Sequence, residues 1–70
     1  MNTRIINTVE ALLFGAGRPL RLSEIRSLLD SDGINAELSD IKQVINILEE
    51  RHDGSSLEVV EVASGFRLQI

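Results

Sequence analysis

His52 is the single imidazole of this chain, and no cysteine accompanies it. A general base needs a second group to orient it, and a metal centre needs further ligands at set spacing. His52 has only Asp53 beside it, a generic acidic neighbour at the end of a helical pattern. It therefore reads as a solvated end residue rather than a ligand or a base. The serines Ser23, Ser27, Ser31, Ser39, Ser55, Ser56 and Ser64 lie in neither a phosphate loop nor a nucleophile elbow. Gly15-Ala16-Gly17 superficially resembles a dinucleotide turn, but it follows a helical pattern instead of a strand, which makes it a helix stop. The acidic residues are scattered along solvent faces. The sequence predicts no catalytic residue, no cofactor and no metal, and so no enzyme.

Positioning falls to a small number of elements. Seventy residues make one domain at most. A chain of this size buries only about 60% of its unfolded surface, so its core is marginal without help. Disulfides and thiolate metal sites are excluded, which leaves oligomerisation or a covering second domain. A hydrophobic content of 43% with 26% charged residues places the chain among globular proteins. No apolar run approaches the roughly 18 residues that span a bilayer, and the first residues lack a signal-peptide pattern. A cytoplasmic protein without membrane contact is the simplest expectation. The chain stops at Ile70 inside the alternating pattern FRLQI, as a fragment of a longer protein would.

The strongest periodic segment is Leu38 to Leu48, where Leu38, Ile41, Val44, Ile45 and Leu48 share one helical face. Asn35 would cap this helix, Ala36 and Glu37 suit its first turn, and it should run to about Arg51 before the break from His52 to Ser56. An earlier helix starts near Asn2 or Thr3, carries Ile5, Val9, Leu12 and Ala16 with Ile6 and Leu13 beside them, and can end at Gly15 or Gly17. Phe14 points about 150° from that stripe. A turn at Gly15 would fold it into the core, and the alternative is an apolar contact for a partner. Between the two helices, Pro19 suits an extended piece, and a second helix then carries Leu22, Ile25, Leu28 and Leu29 on one face. Its start is open: Ser23 is the better cap, whereas a cap at Arg21 would pair Leu20 with Ile25 as a staple. Ser31-Asp32-Gly33 ends it, and Ile34 is an apolar anchor beyond.

The tail reads as a β-hairpin. A two-residue Ser64-Gly65 turn would set Glu61 opposite Leu68. A three-residue loop Ala63-Ser64-Gly65 sets Val62 opposite Phe66, Val60 opposite Leu68 and Glu61 opposite Arg67. The second register separates apolar from charged residues and is the expected one. The fold class is thus α+β, mainly α: a winged helix-turn-helix of three helices and a C-terminal hairpin wing, occupying residues 1–70 as a single domain.

In that architecture the third helix and the wing meet DNA. Here the stretch from Asp32 to Glu61 holds Asp32, Glu37, Asp40, Glu49, Glu50, Asp53, Glu58 and Glu61 against Lys42 and Arg51, a net charge of −6. Affinity for nucleic acid depends on neutralising phosphates, so both elements would be repelled. Arg18, Arg21 and Arg26 gather near helix 2 as a small secondary patch at best, without aromatic residues for stacking. Ile47 lies about 130° from the apolar face of helix 3. Ile6, Phe14 and Ile47 are the candidates for a protein interface.

Two stretches carry a resemblance. Val9-Glu10-Ala11-Leu12-Leu13-Phe14, followed by Gly15-Ala16-Gly17-Arg18-Pro19-Leu20, resembles the opening of bacterial segregation and condensation protein B. Leu57-Glu58-Val59-Val60-Glu61-Val62-Ala63-Ser64-Gly65-Phe66-Arg67-Leu68 resembles the first wing of the same family. Arg21, where that family often has a small capping residue, and the insertion-like Ser31-Asp32-Gly33 loop depart from the pattern. The resemblance implies a non-enzymatic subunit of the SMC–kleisin chromosome condensation and segregation complex, nucleoid-associated through that complex. It also implies two tandem winged-helix domains, of which this would be the first, homodimerisation and binding of the kleisin subunit. A winged-helix transcription regulator that binds DNA is the alternative.

Overall fold

The computed structural model describes residues 2–70, as three helices followed by two strands. Helix α1 spans Thr3–Ala16, with the Asn2 side chain accepting the Arg4 amide at 2.9 Å. The helix passes through Gly15 and stops at Gly17, whose φ of 69° supplies the left-handed residue of a C-terminal cap. Because the chain does not turn at Gly15, Phe14 stays at its helical azimuth and projects outward. The expectation that it folds into the core is overturned. The buried stripe is Ile5, Ile6, Val9 and Leu13, while Ala16 is exposed.

Leu20 pairs with Phe66 through two short backbone bonds, its N–H donating at 2.7 Å and its carbonyl accepting at 2.8 Å. Helix α2, Leu22–Ser31, then begins from Arg21, whose N–H donates to the Glu24 carboxylate at 3.1 Å. Arginine offers no acceptor, so only this half of a capping box forms. The start left open by the sequence is decided by the Leu20 bridge, which holds Arg21 extended. Ile25 and Leu29 are buried; Leu28, expected on the same face, is largely exposed. The helix ends in a Schellman motif: Ile34 N–H donates to Leu29 at 2.8 Å and Gly33 N–H to Asp30 at 3.0 Å, with Gly33 at φ 76°.

Helix α3, Leu38–Arg51, has its cap at Glu37, two residues later than the expected Asn35. Ala36 is buried, and the Asp40 carboxylate accepts the Glu37 N–H at 3.0 Å, which fixes the boundary at Glu37. Ile41, Val44, Ile45 and Leu48 are buried between α1 and α2, whereas Leu38, in the first turn, is 40% exposed.

Strands β1, Glu58–Val62, and β2, Gly65–Gln69, form the wing. Their register corrects the expected one: Val59 faces Leu68, Val60 faces Arg67, Glu61 faces Phe66 and Val62 faces Gly65 around a two-residue Ala63-Ser64 turn. The cause lies outside the hairpin. The Leu20 backbone presses against Gly65, at φ 133°, so closely that a Cβ there would overlap the Leu20 carbonyl group. That contact and the Leu20–Phe66 bonds set the position of β2. Leu68 and Phe66 then pack on the core with Val59 and Leu57, and Val62 is left 40% exposed. The three helices and the paired wing, with Leu20 as a minimal third strand, are a winged helix-turn-helix.

Candidate interaction surface

The helical period that builds the α1 core stripe also builds a second face. Asn7, Glu10, Ala11 and Phe14 follow one another at i, i+3, i+4 and i+7, so they line one side of α1. With His52, Leu57 and Leu68 opposite, they enclose a groove of about 280 Å³. Phe14 forms its rim and is 61% exposed, the largest aromatic surface the chain presents. Ala11, lacking a long side chain, leaves the middle of the groove open.

Glu10 ties the two walls together. The ring Nε2 of His52 lies 2.6 Å from Glu10 Oε2, and Arg51 Nη1 lies 3.3 Å from the same oxygen and 3.1 Å from Asn7 Oδ1. An ionised carboxylate can only accept, so Nε2 carries the hydrogen in this pair. Burial raises the Glu10 carboxyl, but the hydrogen bonds from His52 and Arg51 and the Arg51 charge outweigh it, leaving its pKa below the ordinary carboxylate value. His52 is therefore not the solvated end residue the sequence suggested. Its side chain is 14% exposed and bonds across the fold, because the C-terminus of α3 ends against α1. Beyond it, the Ser55 hydroxyl lies 2.9 Å from the carbonyls of both His52 and Leu57 and accepts the Leu57 N–H at 3.1 Å. This braces the loop that carries Leu57.

The three interface candidates separate in space. Ile6 is buried in the core and offers almost no surface. Ile47 is half-buried and packs against the core from α3. Phe14 alone stands free, on the face just described. Glu10, Ala11, His52 and Leu57 were missed as members of one surface. The spacing of Asn7, Glu10, Ala11 and Phe14 was the available signal, masked because only Phe14 of the four is strongly apolar.

Two of the three basic residues near α2 are engaged locally. Arg18 pairs with Glu24 at 2.9 Å and Arg26 approaches Glu37 at 4.0 Å. Such exposed pairs contribute little stability, but they direct two guanidinium groups toward carboxylates of their own chain. On α3 the exposed residues include Lys42 among Ser39, Gln43, Asn46, Glu49 and Glu50. Among the described residues, no group of His, Asp and Glu is arranged to hold a metal ion. No helix among them is long and apolar enough to cross a membrane.

The sequence model of segregation and condensation complex subunit ScpB matches residues 7–70. The chain belongs to the ScpB family. The match runs from Asn7 in α1 to the end of the wing, so it takes in both walls of the groove. A segregation and condensation protein B homolog of Coxiella burnetii is 33% identical over 69 residues, which is 99% of this chain and 32% of that protein. The chain thus spans about a third of the length of the curated relative it matches. No solved structure matches it. ScpB proteins are, by the family's description, subunits of a segregation and condensation complex.

Proposed function

We propose that this chain is the first of two winged-helix domains of a non-enzymatic subunit of the bacterial SMC–kleisin complex, and that it works by binding protein. The observation that carries this reading is the exposed Phe14 beside the α1–wing groove, on a domain whose third helix and wing bear net negative charge. Homodimerisation and binding of the kleisin subunit are the two contacts proposed, in the cytoplasm and at the nucleoid through the complex. Phe14 is the proposed centre of the kleisin contact. Ile47 would contribute the edge it leaves exposed, and Ile6 would act only by supporting α1 from within.

Sedimentation of the chain alone and with the kleisin of the same genome tests both contacts. Concentration-dependent dimer formation and a sedimenting complex with the kleisin are expected. A strict monomer at high micromolar concentration would remove the dimer, and failure to co-sediment would remove kleisin binding by this domain. The helix order alone also suits a transcription regulator. That reading predicts duplex binding that falls steeply with salt and collapses when Lys42 is neutralised, whereas the acidic third helix predicts none.

A further inference from the structure

Beyond Glu10, which lies in the groove wall, three acidic residues are grouped next to the groove. A second hollow of about 280 Å³ shares His52 and Leu57 with the first, and Glu49, Asp53 and Glu58 line it. The neighbouring cation, Arg51, is taken up by Glu10 and Asn7. Among the described residues no Lys or Arg lies within ion-pair distance of Glu49, Asp53 or Glu58. The two hollows meet at His52 and Leu57 and are taken together as the α1–wing channel, apolar between Phe14, Ala11, Leu57 and Leu68 and lined by three carboxylates in its second part. Its walls are fixed by the Glu10–His52 bond and by Ser55, so a ligand would not have to order them.

We infer that this channel takes a basic segment of a second protein, an apolar side chain seated beside Phe14 and flanking lysines or arginines facing Glu49, Asp53 and Glu58. A second copy of this chain does not fit. A two-fold contact centred here would set the same three carboxylates of both copies against one another. The inference rests on the protein-binding reading above and narrows its kleisin contact to the α1–wing channel; the homodimer contact is then made elsewhere. Complementary charge at the rim sets the on-rate and rejects acidic partners, while the apolar anchor supplies the affinity.

The test uses the kleisin of the same genome and two synthetic peptides that share one phenylalanine, flanked by lysines in one and by glutamates in the other. Fluorescence anisotropy is measured against the unchanged chain, Phe14→Ser and the double variant Asp53→Asn/Glu58→Gln. All these positions are exposed, and thermal melts establish that each variant folds. The lysine peptide and the kleisin are expected to bind about tenfold more weakly to Phe14→Ser, as for loss of an aromatic anchor. About threefold weaker binding, with a shallower salt dependence, is expected for the double variant. The glutamate peptide should not bind. Equal affinity of both peptides, or kleisin binding unchanged in both variants, overturns the channel assignment while the subunit reading stands. A kleisin that does not bind while the lysine peptide binds in a Phe14-dependent way overturns the kleisin contact of this domain and leaves the channel standing as a site for another basic segment.

Discussion

Glu10 receives its hydrogen bonds from residues more than forty positions away, and its behaviour in acid follows from them. Its folded-state pKa lies below the ordinary value of 4.5. The stability it contributes is therefore fully present above that value and is lost as pH falls through the lower folded-state value. Glu10→Gln should be less stable than the unchanged chain at neutral pH, and the gap should close as the pH falls below the ordinary carboxylate value and through the lower folded-state one. Urea titrations across that range measure it, and a gap that widened in acid would be the wrong sign. Gly65 gives a second residue-scale prediction. Its positive φ and the Leu20 carbonyl group against it leave no room for a side chain. Gly65→Ala should lower stability by more than about 1 kcal/mol, read from the denaturant midpoint. The glycine was visible in the sequence and placed in the turn, but its reason was not, since the neighbour that excludes a Cβ is forty-five positions earlier.

At the scale of elements, the helices were legible because their signals are local. Four of the five apolar residues assigned to helix α3 are buried, and its end at Arg51 was foreseen. The errors fall where a distant contact decides. Of the two places open to Phe14, core or partner contact, the first needs a turn at Gly15, and a helix that continues through Gly15 leaves only the second. The hairpin register was argued from the two strands alone, whereas the backbone bonds of Leu20 to Phe66 and the approach of Leu20 to Gly65 set it. His52 was assigned to solvent because nothing in the sequence brings α1 to the end of α3. The packing gives its own prediction. Leu48 is fully buried in α3, and Leu48→Ala should cost about 2–5 kcal/mol in thermal or denaturant unfolding, enough to threaten so small a domain. Leu38→Ala in the same helix, at a half-exposed position, should cost far less.

For the whole molecule, the fold and the charge point in different directions, and the charge selects the partner. The stretch from Asp32 to Glu61, which carries the third helix and the first wing strand, holds eight acidic and two basic residues and makes a poor phosphate reader, and the arginines around α2 include two already turned toward carboxylates. Among the exposed apolar residues, Phe14 is the aromatic one, and it stands at the rim of the α1–wing groove. The candidate site was thus legible in one residue out of several: Phe14 was singled out, while the groove that gives it a role appears only when α1 meets the wing. Membership of the ScpB family agrees with a domain that joins proteins together. The most direct measurement is the perturbation of this chain's backbone amide signals as the kleisin of the same genome, and then duplex DNA, are added. Shifts with the kleisin clustered at Ala11, Phe14, Asp53 and Leu57, and none with DNA at physiological salt, are the expected result. Shifts with DNA clustered around Lys42 on the exposed face of α3, with the groove silent toward the kleisin, would contradict the account.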